Sequence, residues 1–258
     1  MTETARPHAL YPYVRPGTMP FWGVHLTAII GVALLGFSWE GLAWATGSYF
    51  LRIFFVTAAY HRYFSHRTFK TSRPVQFVMA FMAQTSIQKG VLWWAAHHRQ
   101  HHRFADKPGD PHSPRHDGLF RAHLGWLLDP TNDVTHEERV PDLTRHPELV
   151  WISRNHLLPP VLYAVALFLI GGTETLIWGF FVSSVFVWHG TFTINSLTHI
   201  FGRPRFASDD DSKNSWSLAL LTLGEGWHNN HHHYQSCARQ GFYWWEIDIT
   251  YYIIKMLS

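Results

Sequence analysis

Four nearly uncharged apolar stretches, arranged as two pairs, constrain this 258-residue chain more than any other feature. Phe21–Ser38 and Gly41–Tyr60 form the first pair, parted by Trp39-Glu40. Leu157–Gly172 and Leu176–Ile194 form the second, parted by a Gly-Gly-Thr-Glu-Thr turn. A helix needs about 20 mostly apolar residues to cross the hydrocarbon core of a bilayer. The mean hydropathy of −0.10 hides these runs because it averages them with polar segments. The expected fold is therefore an all-α membrane protein with four transmembrane helices in two hairpins. Four buried helices of a soluble protein form the competing reading.

Charge sets the topology. The turns at Glu40 and Glu174 carry no Lys or Arg, whereas Arg62 to Arg154 holds most of the basic residues. Basic loops stay on the cytoplasmic side. Both termini then face the cytoplasm. One domain is expected: an N-terminal arm 1–20, a first hairpin 21–60, a cytosolic segment 61–156, a second hairpin 157–194 and a cytosolic segment 195–258. The opening Met1–Pro20 is polar and proline-rich and does not read as a secretory signal. Pro74–Trp94, apolar but interrupted by Gln84, Gln88 and Lys89, reads as a helix lying on the membrane surface. Arg52 sits inside the second apolar run, so it should face the bundle interior and find a partner there.

Histidine is the second anomaly. The chain has 20, more than its 18 Asp and Glu together. They concentrate in His61-Arg-Tyr-Phe-Ser-His66, His98-Arg-Gln-His101-His102 and His228-Asn-Asn-His231-His232. All three fall on the side assigned to the cytoplasm. Neutral imidazole is the commonest nitrogen ligand for metals. Eight such rings cannot crowd around one ion, which argues for two. On a helix each residue turns by about 100°, so His101 and His102 flank the direction of His98 and diverge from each other. One triplet can thus reach two ions, and His228, His231 and His232 repeat the pattern. His61 and His66, five apart, match one helical face poorly and are placed across a helix end. Asn195 and His199 share a face beyond the fourth run, making His199 a ninth candidate, with Asn195 in direct or water-mediated contact. His97 and His233 extend the triplets and suit either ligation or hydrogen bonding behind it. His8, His25, His136, His146 and His156 read as ordinary core or surface residues, and His112, His116, His123 and His189 as non-ligands.

Other chemistries fit less well. A formal charge of +3 is too mild to suggest nucleic-acid binding. The lone Cys237 excludes an intrachain disulfide, a cysteine-ligated cluster and a multi-cysteine zinc site. No His-Glu-x-x-His is present. Soluble di-iron carboxylate bundles need two Glu-x-x-His motifs, and this chain offers Glu225-Gly-Trp-His228 alone. Imidazole suits iron, copper and zinc alike. An ion that activates dioxygen by redox change favours iron over zinc.

The three histidine boxes, in this order between paired apolar runs, resemble the membrane-bound fatty acid desaturases. The likeness covers roughly Gly41 to Ser258. Its wording is similar to the stearoyl-CoA (Δ9) group of bacterial character: His61 to Arg67, Trp94 to His102, Asp110-Pro-His112, Asn195-Ser-Leu-Thr-His199 and Gly224 to His232. The resemblance implies two irons held by His61, His66, His98, His101, His102, His199, His228, His231 and His232, with Asn195 reaching one through water. It implies that dioxygen and two electrons abstract hydrogen from adjacent methylenes of a saturated acyl chain, leaving a cis double bond. It implies a bent apolar tunnel, for which Trp93, Trp94, Phe192 and Trp227 are candidate lining residues. The acyl carrier, coenzyme A or glycerolipid, stays open. Two departures matter: His97 stands where eukaryotic relatives carry Asp, and no His-Pro-Gly-Gly heme-binding sequence occurs. A separate electron donor of ferredoxin type, docking on the basic face, is expected. A bacterial inner membrane is the implied location. A membrane fatty acid or alkane hydroxylase is the nearest rival function, and a membrane metal transporter or sensor the non-enzymatic one.

Overall fold

The computed structural model describes residues 13–258, so the start of the N-terminal arm, His8 included, lies outside the described residues. The regular structure among the described residues is all helical, apart from two isolated bridges that join Arg203 to Asn214 and Asn214 to Trp227. Helix α1 spans Met19–Leu35 and α2 spans Trp39–Phe55. Ser38 starts α2 by accepting a hydrogen bond from Gly41 N, a helix-capping role that its short hydroxyl suits. Glycines make the close approaches. A Cβ on Gly31 would lie 2.6 Å from the Ile177 side chain, and one on Gly41 would lie 2.5 Å from Trp178.

Three helical stretches among the described residues are long and apolar enough to cross a membrane: Pro16–Leu35, Trp39–Ser65 and Leu158–His199. The sequence reading expected four. The third stretch has 42 residues, about 63 Å if straight, roughly twice the hydrocarbon thickness. It is not straight. Helix α9 (Leu158–Leu176) is broken at Gly171 and Gly172, the latter at φ 67°, a conformation that only glycine adopts readily. The chain then doubles back: a Cβ on Gly179 would lie 3.4 Å from the Leu167 side chain, and the rings of Tyr163 and Phe180 lie 6.4 Å apart. The outer faces of α1 and α9 expose Leu26, Ile29, Leu34, Val161, Phe168 and Leu169. A water-soluble protein rarely exposes so continuous an apolar surface; the protein is a membrane protein.

Helical turns begin at Pro16, and Arg15 ties this end to the body through Asp133 (2.7 Å). One further expectation needs correction. Pro74–Trp94 is not one helix. α3 (Arg73–Gln84) ends, the chain turns through left-handed Ile87 and Lys89, and α4 (Val91–Phe104) begins. The turn is held by Trp188 Nε1 on Ser86 O and by Tyr60 Oη on Lys89 O, contacts that no local pattern announces. α2 continues as a π-helix over Val56–Ser65, with His66 at its C-terminal cap. Its i→i+5 pairing, seen in His66 N to His61 O at 3.2 Å, brings residues five apart onto one side.

Short helices α5 (Pro114–Phe120), α6 (Trp126–Leu128), α7 (Pro141–Thr144) and α8 (Pro147–Arg154) connect α4 to α9. α10 (Ser183–Ser196) follows, then α11 (Trp216–Leu221), α12 (His228–His233) and α13 (Ile249–Met256). Arg52 is fully buried. It donates to Thr85 O (3.2 Å), Phe180 O (3.2 Å), Ser184 Oγ (2.8 Å) and Ser183 Oγ, and it lies over the Tyr163 ring. Its partners are hydroxyls, carbonyls and a ring.

Candidate metal centre

Four pieces of backbone converge at one end of the apolar helices: the π-helical end of α2, the last turns of α4, the 3-10 turn Leu197–His199 after α10, and α12. Their histidines fall into two groups. His61, His66, His98, His102 and His231 form one, and His101, His199, His228 and His232 the other, with ring nitrogens in each group within 4.8 Å of one another. The triplet on α4 divides between them, as does the triplet on α12. That division follows from helical geometry, since neighbours diverge by about 100°.

The nitrogens meet in an unusual way. In the first group Nε2 of His231 lies 3.0 Å from Nε2 of both His61 and His102, and Nε2 of His98 lies 2.8 Å from that of His66 and 3.0 Å from that of His102. In the second, the Nε2 atoms of His199 and His228 are 3.1 Å apart, and those of His101 and His232 are 3.4 Å apart. An ionised carboxylate only accepts, so the Nδ1 atoms facing carboxylates must carry the protons. His101 Nδ1 donates to Asp110 (3.0 Å), His199 Nδ1 to Asp106 (2.7 Å), His232 Nδ1 to Asp210 (2.9 Å) and His61 Nδ1 to Glu225. Their Nε2 atoms therefore present lone pairs, and those of His101 and His232 face each other, a repulsive contact unless a cation sits between them. Nitrogens bound at about 2.1 Å and at right angles would lie about 3.0 Å apart, which matches the observed edges.

Electrostatics disfavour the charged form of six of the donors, whereas His101 is raised, its burial outweighed by the Asp110 carboxylate. Burial, then neighbouring imidazoles, hold His66, His98, His102, His228 and His231 well below the usual histidine pKa. Burial also lowers His232 to about 4, although Asp210 opposes it. Burial works against ionisation of Asp106, Asp110 and Asp210, but hydrogen bonds and charge from His199, His101 and His232 outweigh it and hold all three below the ordinary carboxylate range. Glu225 is held at about 2 by His61 and Arg62 against its own burial. Metal-ligating histidines almost always pass their second ring nitrogen to such a group. The donor set, its protonation and its spacing all fit bound metal ions.

These four acids are what residue-level reasoning missed. Glu225 and Asp110 had been noted, as half of a Glu-x-x-His motif and as part of Asp-Pro-His, without a role. Nothing in the sequence ties Asp106 or Asp210 to histidines 93 and 22 positions away. Arg62 completes the network, buried between Glu225 and Asp248 (both 2.9 Å).

The remaining candidates separate. Asn195 joins neither nitrogen group through a hydrogen bond, but it lines both cavities described below. His97 stacks on Trp93 at 4.3 Å and binds Trp93 O, and His233 stacks on Phe206; both stay outside the two groups. His112 stacks on His101 at 4.3 Å, its buried Nδ1 4.0 Å from Asp110 without a hydrogen bond, and with His101 and Asp110 it forms a third group able to hold an ion. His25, His189 and His123 form a separate hydrogen-bonded chain ending on Ser196.

A cavity of about 330 Å³ reaches the histidines from the side of α1 and the α3–α4 turn. Trp93, Trp94 and Phe192 line it, together with Trp126, Trp188 and His98. A smaller space of about 40 Å³ continues beside His61, His101 and His228 toward Ile53 and Val56. Trp94, Thr191 and Asn195 border both. Trp227 lines neither. It is buried, with its indole N–H on Ile247 O at 2.9 Å.

The model of the fatty acid desaturase family matches residues 38–255. The sn-1 stearoyl-lipid 9-desaturase of a Synechocystis species is 38% identical over 256 residues, covering 95% of this chain and 79% of that protein. The sn-2 palmitoyl-lipid 9-desaturase of a Nostoc species is 34% identical over 259 residues, covering 96% and 88%. The chloroplast palmitoyl-monogalactosyldiacylglycerol delta-7 desaturase of Arabidopsis thaliana is 36% identical over 240 residues; the match takes in 91% of this chain but only 64% of the plant protein's length. With two histidine groups set against an apolar cavity and a family match over most of its length, this chain belongs to the fatty acid desaturase family.

Proposed function

We propose that the protein is an oxygen-dependent fatty acyl desaturase that introduces a cis double bond, at Δ9, into a saturated chain carried by coenzyme A or a glycerolipid. One observation carries the reading: lone-pair nitrogens gathered in two groups at the wall of an apolar cavity. Two irons would be held by His61, His66, His98, His102 and His231, and by His101, His199, His228 and His232, with Asn195 beside them. When bound, they supply redox chemistry with dioxygen that the side chains lack. The names of the cyanobacterial relatives support the Δ9 assignment and an acyl-lipid substrate, and that of an Anemone leveillei acyl-CoA 5-desaturase keeps the coenzyme A carrier open.

The chain's own residues do the rest. Asp106, Asp110, Asp210 and Glu225 hold protons on Nδ1 of His199, His101, His232 and His61, which leaves the Nε2 atoms of those four rings free to bind. Trp94 stacks on His98 (4.9 Å) and on Tyr60 (5.3 Å), so the partition between cavity and nitrogens is rigid and apolar. Gln88 bridges Trp94 to Thr191 across that partition. Burial of each methylene in such a cavity contributes about 0.8 kcal/mol, so the closed end measures chain length.

The wider arrangement belongs to the same proposal. The folded third stretch makes two crossings, giving four in two hairpins, with the histidines in a cytosolic cap on the basic side of a bacterial inner membrane. Exposed Arg67, Lys70 and Arg103 flank His66 and His102 in sequence and suit an acidic electron donor of ferredoxin type. The test is expression in a host that makes no unsaturated fatty acids, with mass spectrometry of its lipids. Loss of two hydrogens, located at C9–C10, is the expected result. Gain of one oxygen identifies a hydroxylase instead, and unchanged acyl chains in cells with iron-loaded protein reject an acyl-modifying function.

A further inference from the structure

The stretch after α10 contains an apolar surface that the site does not use. Trp216 and Leu221 on α11, Trp244 and Ile247 in the following loop, and Tyr252 and Met256 on α13 are all exposed. α11 and α13 form one platform, because Thr250 N at the start of α13 donates to Leu223 O just after α11 (3.0 Å). The acids of this region all turn inward: Glu225, Glu246 and Asp248 are buried and paired with Arg62 or Arg205. From Trp216 onward, the formal charges left on the outer side are Arg239 and Lys255, both cationic.

The platform's level is set by α2. Thr57 Oγ1 meets Thr250 Oγ1 at 2.8 Å, and Tyr49 Oη donates to Leu221 O at 2.7 Å. The helical stretch starts at Trp39, so a hydrocarbon core of about 30 Å reaches roughly residue 59 at about 1.5 Å per residue. Thr57 then lies just inside the near boundary. Tyr49 is eight residues, about 12 Å, farther in. The end of α11 is tied to that deeper residue.

We propose that α11 and α13 insert into the cytoplasmic leaflet as a monotopic platform. Residues 216–256 would then not be the purely cytosolic tail expected from their average polarity. α11 dips into the acyl region, and α13 lies at the headgroup level. Trp244 and Tyr252 have the amphipathic rings that favour this interface, and Arg239 and Lys255 match anionic headgroups. The inference rests on the membrane orientation given under Proposed function.

Spin labels test it in vesicles of phosphatidylethanolamine and phosphatidylglycerol. Leu221→Cys, Tyr252→Cys and, as an aqueous reference, Glu138→Cys are each made in a Cys237→Ser background, and collision rates with oxygen and a nickel chelate are compared. The expected result is an oxygen-to-nickel ratio several-fold above that of position 138 at both sites, with 221 deeper than 252. Ratios equal to that of position 138 overturn the inference, and so does shielding from both reagents, which would place a second copy of the chain on this face. Unmodified protein provides the second measurement, through labelling by a diazirine-bearing lipid and peptide mapping. Labelling of 19–35 without 216–222 or 249–256 removes the platform and keeps the membrane reading. Absence of labelling everywhere removes both.

Discussion

Nδ1 of His199 lies 2.7 Å from Oδ2 of Asp106, across 93 residues of chain. The same carboxylate accepts from Asp211 N and Ser113 Oγ, so it is locked in place before it orients the ring. Asp106→Asn replaces an obligate acceptor with a group that also donates. Loss of such a partner typically costs 10–100-fold in metal affinity or activity. We expect a decrease of that order in turnover, with metal lost from the His101 group first. Metal analysis alongside turnover checks it; wild-type metal content and activity would remove Asp106 from this role.

His101 and His231 each sit at the meeting point of several rings. His101→Ala and His231→Ala should abolish desaturation while leaving membrane insertion intact, with bound iron falling from close to two per chain. Full activity from either variant would exclude that residue from the centre.

Acid should act early. Each histidine held below its ordinary value has a folded pKa lower than its unfolded one of about 6.5. The unfolded chain therefore takes up protons first as pH falls. The stability contribution is complete above about pH 6.5 and is lost toward the folded value, which is about 4 for His232 and about 3 for His112. Each group contributes up to about 1.4 kcal/mol per pH unit. Melting temperature and retained metal, followed from pH 8 to pH 4.5, should fall together from about pH 6.5. A flat profile down to the carboxylate range would contradict the neutral histidine core.

Two buried arginines should respond differently to removal. Arg62→Met strands Glu225 and Asp248, and breaking such a pair typically costs about 3–5 kcal/mol. Arg52 has no carboxylate partner among the described residues, and the hydroxyls of Ser183 and Ser184 keep their bonds to Gly179 O and Phe180 O. Arg52→Met strands no charge and leaves only Thr85 O without its donor, so it should cost about 1–3 kcal/mol, less than Arg62→Met. Thermal unfolding in detergent compares the two, and equal losses would mean that Arg52 carries an ionic role that these contacts do not reveal.

The sequence by itself determined the membrane-helical class, the glycine turn at Gly171–Gly172, and the way each His-x-x-His-His triplet splits between two directions. All of these depend on properties that repeat within a turn or two of helix: hydropathy, glycine freedom and a rotation of about 100° per residue. Tertiary structure decided the rest. The π-helix that aligns His61 with His66, the left-handed turn through Ile87 and Lys89, and the pairing of Asp106 and Asp210 with distant histidines all depend on contacts between segments far apart in the chain. So does the separation of Trp227 from the cavity that Trp93 and Trp94 line. A local pattern reports which way a side chain points from its own helix; only the packing of helices decides what it finds there.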